Sequence, residues 1–371
     1  MLDGEPQDNG FVETEQRPNG GGDEGDALGS HDSSQSRRLA KMPVDRNAPY
    51  YNMNHKYRGM AIIFNHEHFD IHSLKSRTGT NVDSDNFAKV LKGLGFRVTV
   101  LPNLKSEEIL KYVQQTADMD HSDNDCLLIA VLTHGELGML YAKDTHYKPE
   151  NLWYYFTGDK CPTLAGKPKL FFIQACQGDK LDGGVTLSRT ETDGSSSASY
   201  KIPVHADFLI VFSTVPGYYS WRNTTRGSWF MQALCEELRY AGTERDILTL
   251  LTFVCQRVAL DFESNTPDLM PMHQQKQVPC ITSMLTRLLV FELYSATETD
   301  FLALLTNVCQ KVALNFESNL TDYPEMSKKR QVPCFTSMLT RRLIFTKKPV
   351  NSMSLKSSFL KRFKDCASTS K

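Results

Sequence analysis

The chain has 371 residues, with 42 Lys and Arg against 43 Asp and Glu. That is enough for one large domain or two small ones, and it lacks the charge excess that would point to nucleic acid or an anionic membrane surface. No apolar run reaches the roughly 18 residues of a membrane span, and the start lacks the basic and apolar regions of a signal peptide, so a cytosolic protein is expected. Charge is uneven only at the ends: residues 1–35 carry nine acids and one base, Arg17, whereas residues 346–371 carry seven bases and one acid. Both read as solvated tails that cannot bury enough apolar surface to offset ordering entropy. The nine cysteines include no Cys-x-x-Cys pair, which argues against a disulfide framework or a zinc site.

From Arg58 onward short apolar runs alternate with helical patterns. Met60 to Phe64 reads as a strand, and Asp83 to Leu94 as a helix whose apolar positions recur at Phe87, Val90, Leu91 and Leu94. A strand at Arg97 to Val100 and a helix from Ser106 to Thr116 follow, the latter with Glu107 and Glu108 in its first turn. Next come a buried-looking strand at Cys126 to Leu132 and a Pro149-led helix around Leu152 to Phe156. Strands at Lys169 to Ala175 and Phe208 to Ser213 complete the series, before a helix at Ser228 to Leu238. Such alternation predicts an α/β fold, a mainly parallel central sheet with helices on both faces.

Two segments break the rhythm. Residues 181–205, containing Thr190-Glu191-Thr192-Asp193-Gly194 followed directly by Ser195-Ser196-Ser197, form a long polar connection of a kind that in a compact domain is functional or disordered, and this one reads as made to be cut. Residues 244–291 recur at 298–345 with a constant offset of 54, no gaps and 30 identities in 48 positions. Two copies are too few for a solenoid, so this is a tandem duplication of one supersecondary piece.

The candidate chemistry lies at strand ends. The apolar run Leu127 to Leu132 ends in Thr133-His134-Gly135-Glu136, and Leu170 to Ile173 ends in Gln174-Ala175-Cys176-Gln177-Gly178. Parallel sheets build sites outside the carboxyl ends of their strands, so a histidine and a thiol in these places face one crevice. Gly135 and Gly178 would let a substrate backbone approach closely. A thiol, a proton-shuttling imidazole and nearby backbone N–H groups are what a cysteine protease needs.

The Gln-Ala-Cys-Gln-Gly string, with the histidine 42 residues upstream, resembles the caspase signature. The resemblance runs from Arg58 to Phe291 and is greatest to insect executioner caspases. It implies a caspase-like three-layer α/β/α sandwich and hydrolysis of cellular proteins after aspartate during apoptosis. Carried over by position, Cys176 is the nucleophile, His134 the general acid/base, and the N–H groups of Gly135 and Cys176 the oxyanion hole. Arg77 in Ser-Arg-Thr-Gly-Thr, Gln174, and Arg222 in Tyr-Ser-Trp-Arg-Asn line the pocket for the substrate aspartate. Two guanidinium forks suit a carboxylate, whereas an asparagine or glutamine would leave them under-neutralised. Tyr219, Trp221 and Trp229 wall the neighbouring substrate pockets. Gln177 stands where many family members carry arginine, within the signature. No cofactor is implied, and His66 and His68 lack a third ligand for a metal.

The resemblance also implies a zymogen cut at its own aspartates. Asp193 would separate a large subunit, 58–193, from a small one, 207–291, across the linker 194–206. Asp26 would end an acidic leader, 1–26, and expose Ala27-Leu28-Gly29-Ser30 at the head of the flexible segment 27–57, a tetrapeptide resembling those bound by inhibitor-of-apoptosis proteins. The leader is too short for a death-fold recruitment domain, which points to an executioner rather than an initiator; the resemblance further implies an initiator caspase as activator and a homodimer of cleaved protomers as the active form. An alternative is a catalytically poor homologue acting as a decoy dimer partner or inhibitor sink, favoured by the duplicate at 298–345; a metal hydrolase lacks ligands. For the duplicate itself, loop closure favours the first copy at the sheet edge, because it follows the preceding helix through a short turn at Gly242. The second copy would then expose an unpaired apolar strand, Cys334 to Phe345, ahead of the basic tail 346–371.

Overall fold

A computed structural model describes residues 43–45, 47–184, 206–291, 300–316 and 330–342. Its core is a seven-stranded sheet. Five strands, β1 (Tyr57–Asn65), β2 (Arg97–Pro102), β3 (Asn124–Leu132), β4 (Lys169–Gln174) and β5 (Phe208–Phe212), run parallel. Two more, β6 (Cys280–Ser283) and β7 (Phe335–Ser337), are antiparallel additions at one edge. The order across the sheet is β7-β6-β5-β4-β3-β1-β2.

Alternate residues of each strand feed two separate cores. Ala61, Ile63, Leu128, Ala130, Leu170 and Phe172 pack with the helices α1 (Thr80–Gly93), α3 (Trp229–Ala241) and α4 (Ile247–Asp261) on one face. Ile62, Phe64, Ile129, Val131, Phe171 and Ile173 pack with α2 (Ser106–Ala117) and the turns around Leu152 and Phe156 on the other. Every residue of β3, β4 and β5 is buried, as expected of strands covered on both faces, which is why they read as continuous apolar runs. The three-layer sandwich follows directly.

The local differences from expectation have simple causes. Helix α1 starts at Thr80, three residues before Asp83, because the chain turns through Gly79 in a left-handed conformation, φ 93°. The Pro149 helix is two short 3₁₀ turns, Pro149–Leu152 and Tyr154–Phe156; the four consecutive aromatics at 153–156 are poor helix formers, and packing of Trp153 and Phe156 on Phe171 decides the path instead. In α2, Glu108 fulfils its first-turn role by accepting from the Lys105 N–H at 2.7 Å.

The first copy of the repeat takes the place next to β5, as loop closure predicted. The second does not leave a bare strand. Its Phe335–Ser337 pairs with β6 in the order Ile281↔Ser337, Thr282↔Thr336, Ser283↔Phe335, so the expected unpaired strand is corrected for these residues: backbone N–H and C=O groups at the β6 edge found partners in the same chain. The remainder of that strand, 343–345, lies outside the described residues. Its helix, α5 (Phe301–Asn315), meets α4. Among the described residues no helix is long and apolar enough to cross a membrane. Of the eight cysteines described, all free thiols, six are buried, Cys176 is half-buried and Cys334 exposed.

Candidate active site

Strands β3 and β4 pair with Leu132 opposite Gln174. His134 and Cys176 therefore leave adjacent strands at the same level, two residues beyond that pair, and the Thr133 N–H to Gln174 O bond of 3.0 Å holds the two exits together. A Cβ on Gly135 would lie 2.6 Å from the Cys176 carbonyl oxygen, so only glycine lets the residue after the histidine pack on the backbone of the thiol. At Gly178 the close neighbour is the protein's own chain, since a Cβ there would strike the Gly217 backbone at 2.4 Å. That glycine stitches loop to loop rather than admitting substrate: Gly217 N donates to Gln177 O at 2.7 Å and Gln177 N to Tyr218 O at 3.0 Å.

His134 Nε2 lies 2.7 Å from Lys75 O. A carbonyl can only accept, so Nε2 carries the proton and Nδ1 is left as the basic nitrogen of the neutral ring. The ring also stacks at a tilt on Phe69, centroids 4.9 Å apart. Burial, reinforced by the charges of Arg77 and Arg222, lowers the imidazole pKa to about 4. Burial raises that of Cys176, opposed by the Ser220 backbone N–H at 3.4 Å from Sγ and by the same two arginines. The resting pair is thus neutral thiol and neutral imidazole.

Arg77 is buried behind the start of α1, where its Nη1 donates to Thr80 Oγ1 at 2.7 Å and His66 O at 3.2 Å. Arg222 reaches the same place from the short ribbon of Arg222–Asn223 and Gly227–Ser228, donating to Thr78 O. Gly79 permits this approach, because a Cβ there would sit 2.6 Å from Thr224 O. Desolvation first, then the charge of Arg222, lowers the Arg77 pKa to about 9. Two guanidinium groups pushed together out of water favour an incoming carboxylate. Gln174 completes the group: its Nε2 donates to Ser220 Oγ at 2.9 Å, and its Oε1 is buried with no partner.

The aromatic candidates form one ladder, Tyr219 against Trp221 at 5.1 Å, Trp221 on Trp229 at 5.5 Å, and Trp229 on Phe262 at 5.6 Å. Trp221 and Trp229 are buried and Tyr219 is half-buried, so the tryptophans stiffen the wall and Tyr219 presents it. His66 and His68 turn apart, His66 Nε2 to Leu104 O at 3.0 Å and His68 Nδ1 towards Ser76 Oγ at 3.4 Å. Among the described residues no group of three or more His, Cys, Asp or Glu could hold a metal ion. Asp26, Ala27 and Asp193 lie outside the described residues.

Three supporting residues escape the sequence reading. Asp83 accepts from Ser228 N at 2.8 Å and Oγ at 2.6 Å, tying α1 to the Arg222 ribbon, and burial raises its pKa to about 6 against the pull of those donors and of Arg77 and Arg222. Ser220 links Gln174 to Ser213 at 2.8 Å. Gln277 accepts from Trp221 N at 2.7 Å and donates to Ser213 O at 2.6 Å. Ser220, inside the Tyr-Ser-Trp-Arg run, was within reach of sequence reasoning; Asp83 and Gln277 act across long separations that no local pattern reveals.

Comparison with known proteins agrees with this geometry. The caspase domain model of peptidase family C14 matches residues 58–290, spanning the site and the first copy and stopping before the second. Caspase-1 of Spodoptera frugiperda is 86% identical over 294 residues, 78% of this chain and 98% of that protein. Caspase drICE of Drosophila melanogaster is 63% identical over 287 residues, 76% of this chain and 85% of its own length. A crystal structure of the Spodoptera caspase-1 superposes with a TM-score of 0.64, covering 68% of this chain and 99% of that one. The strand-end thiol and histidine, the paired arginines and these similarities lead to one assignment: the chain belongs to the caspase family, cysteine proteases that cleave after aspartate.

Proposed function

We propose that this protein is an executioner caspase that hydrolyses cellular proteins after aspartate during apoptosis, and that Cys176, His134, Arg77, Gln174 and Arg222 perform the reaction. The observation that carries the reading is the convergence of two desolvated guanidinium groups beside a strand-end thiol whose neighbour, Gly135, packs on its carbonyl. The substrate aspartate enters between Arg77 and Arg222, with the Gln174 amide beside it. Nδ1 of His134 takes the Cys176 proton as Sγ attacks the scissile carbonyl, and the N–H groups of Gly135 and Cys176 donate to the oxyanion. The imidazolium then protonates the leaving amine, and water, deprotonated by the same ring, releases the acyl group from Sγ. An imidazole pKa near 4 keeps Nδ1 available as base at neutral pH. The arriving carboxylate offsets the two positive charges that depress it, bringing the base closer in strength to the thiol it must deprotonate.

Control follows from the same specificity. Cutting after Asp193 by an initiator caspase releases the two subunits of a cytosolic zymogen, and cutting after Asp26 exposes Ala27 to inhibitor-of-apoptosis proteins. Two catalytic units pair through the β6 edge when that edge is free. The decoy alternative loses ground because the first copy, which supplies Gln277 and Phe262 to the site's support, holds its place beside β5. Cys176→Ala tests the mechanism: cleavage of a reporter peptide ending in aspartate should fall by several orders of magnitude with the thermal midpoint unchanged. Appreciable residual turnover in the purified variant overturns it.

A further inference from the structure

The pairing of β7 with β6 carries information that the sequence repeat makes readable. Subtracting the offset of 54 turns Phe335, Thr336 and Ser337 into Ile281, Thr282 and Ser283. The observed order, with Ile281 opposite Ser337, Thr282 opposite Thr336 and Ser283 opposite Phe335, is therefore β6 paired antiparallel with an image of itself about a local two-fold axis at Thr282. The two threonine hydroxyls meet on that axis, 3.5 Å apart. A strand that accepts its own sequence in this register is self-complementary, which is the condition for an isologous contact between identical chains. Since β5 takes the other edge of β6, the edge now holding β7 is the one a second chain would use.

The second copy is also fastened to the rest of the chain by side-chain bonds. Asp300 of the second copy accepts from Thr249 Oγ1 of the first at 3.3 Å. The counterpart of Asp300 is Asp246, so a second chain would offer Thr249 the same acceptor, and the advantage of the cis copy is its tether. Gln310 Nε2 adds a bond to Ala48 O at 2.8 Å. Tethering raises the local concentration of the cis strand to the millimolar range, against which a free second chain competes poorly.

We propose that the second copy is a built-in cap: its residues 335–337 hold in cis the β6 edge that would otherwise receive strand 280–283 of a second copy of this chain, so the full chain is self-capped and pairing of two catalytic units requires displacement or removal of the second copy. The link to activity rests on the proteolytic reading above; the capping rests on which strands meet.

Thr282→Cys, placed on the axis, tests it. Under mild oxidation the chain ending at Tyr294 should form a covalent dimer joined 282 to 282, identified by peptide mapping, whereas the full chain carrying the same substitution should stay single. Thr282→Cys/Thr336→Cys in the full chain should close the 282–336 bond within one chain. By sedimentation, the dimer dissociation constant of the full chain should exceed that of the shortened one by at least about 100-fold. Phe335→Pro/Thr336→Pro in the full chain, which removes two strand N–H donors, should restore pairing without shortening the protein. The proposal is overturned if full-length Thr282→Cys forms 282–282 dimers as readily as the shortened chain, or if neither the shortened chain nor the proline variant pairs at all. A self-capped chain that never cleaves after aspartate would instead sink the proteolytic reading and leave the cap standing.

Discussion

The two copies of the repeat have nearly one sequence and two fates. Inside each copy the local structure is the same: Thr252 Oγ1 and Thr306 Oγ1 each donate to the carbonyl four residues back at 3.0 Å, from Leu248 and Leu302. Cys255 and Cys309 each reach the carbonyl of the proline before the strand, Pro279 and Pro333, and Leu285 N and Leu339 N each donate to the strand serine at 3.3 Å. What differs is the neighbour. Helix α4 lies against α3 and buries Leu250 and Val254 completely; on α5 the matching Leu304 and Val308 are 44% and 49% exposed. Phe262 closes the tryptophan ladder of the site, and its counterpart Phe316 is 66% exposed. A helix-strand unit of this length specifies its own shape, but its contribution to the protein is set by whichever partner it reaches first.

The largest expected effect tests that asymmetry in the core. Leu250→Ala should cost about 2–5 kcal/mol through lost transfer energy and a cavity, whereas Leu304→Ala should stay within about 0.5 kcal/mol. Urea midpoints of the two variants measure both. Equal losses would mean that α5 has a buried partner in solution and that the copies are more alike than their surroundings indicate.

A smaller, functional contrast comes from the glutamines. Gln277 pins Trp221 and Ser213 through two buried bonds; its truncation leaves buried groups unsatisfied at about 1–3 kcal/mol and loosens the loop carrying Arg222. Gln277→Ala should lower kcat/KM about 10- to 100-fold on an aspartyl reporter, and Gln331→Ala, at an exposed position, should not change it. Next in size is the clamp between α4 and α3, where Arg257 Nε and Nη2 lie 3.1 and 2.7 Å from Glu237 Oε1. The arginine is partly exposed, so Arg257→Ala should cost only about 1 kcal/mol. Its counterpart Lys311 is exposed, and Lys311→Ala should cost less than half of that; a reversed order in the melting temperatures would contradict the placement of both helices.

The sheet, its buried strands and the strand-end positions of His134 and Cys176 were legible because they depend on short-range apolar patterns and one βαβ rule. Arg77, Gln174 and Arg222 were found by resemblance, and the structure then supplied their surroundings. Asp83, 145 residues from Ser228, and Gln277, 56 from Trp221, left no trace in local periodicity, because a hydrogen bond between distant segments constrains neither segment's pattern. The strand β7 misled for a different reason. Taken alone it is an apolar strand without a place, and its place exists only because β6 is complementary to itself, a property of the folded edge rather than of either sequence.

The last contrast concerns the helix caps, which are identical in residue type and close enough to sense each other. Asp246 accepts from Leu248 N and Thr249 N at 3.1 Å, and Asp300 from Ala303 N at 3.0 Å. Burial raises the Asp246 pKa, its hydrogen-bond donors oppose the rise, and the charge of Asp300 adds to it. A folded-state pKa above the unfolded one means that the native protein binds this proton more tightly. The stability that Asp246 contributes therefore falls as pH rises from the ordinary carboxylate range through the raised value, and levels off above it. Asp300→Asn keeps a good capping residue while removing the charge, so it should shrink this fall by a few tenths of a kcal/mol, the size of a partly screened pair. Removing that charge also alters the field at other carboxylates, so the measurement is a double-mutant cycle. Asp246→Asn is made in both the parent and the Asp300→Asn background, and in each the pH slope of the urea midpoint is compared with and without it. The difference attributable to Asp246 should be smaller when residue 300 is neutral. Equal differences in the two backgrounds would show that the caps do not interact, and that the second copy leaves the first electrostatically untouched.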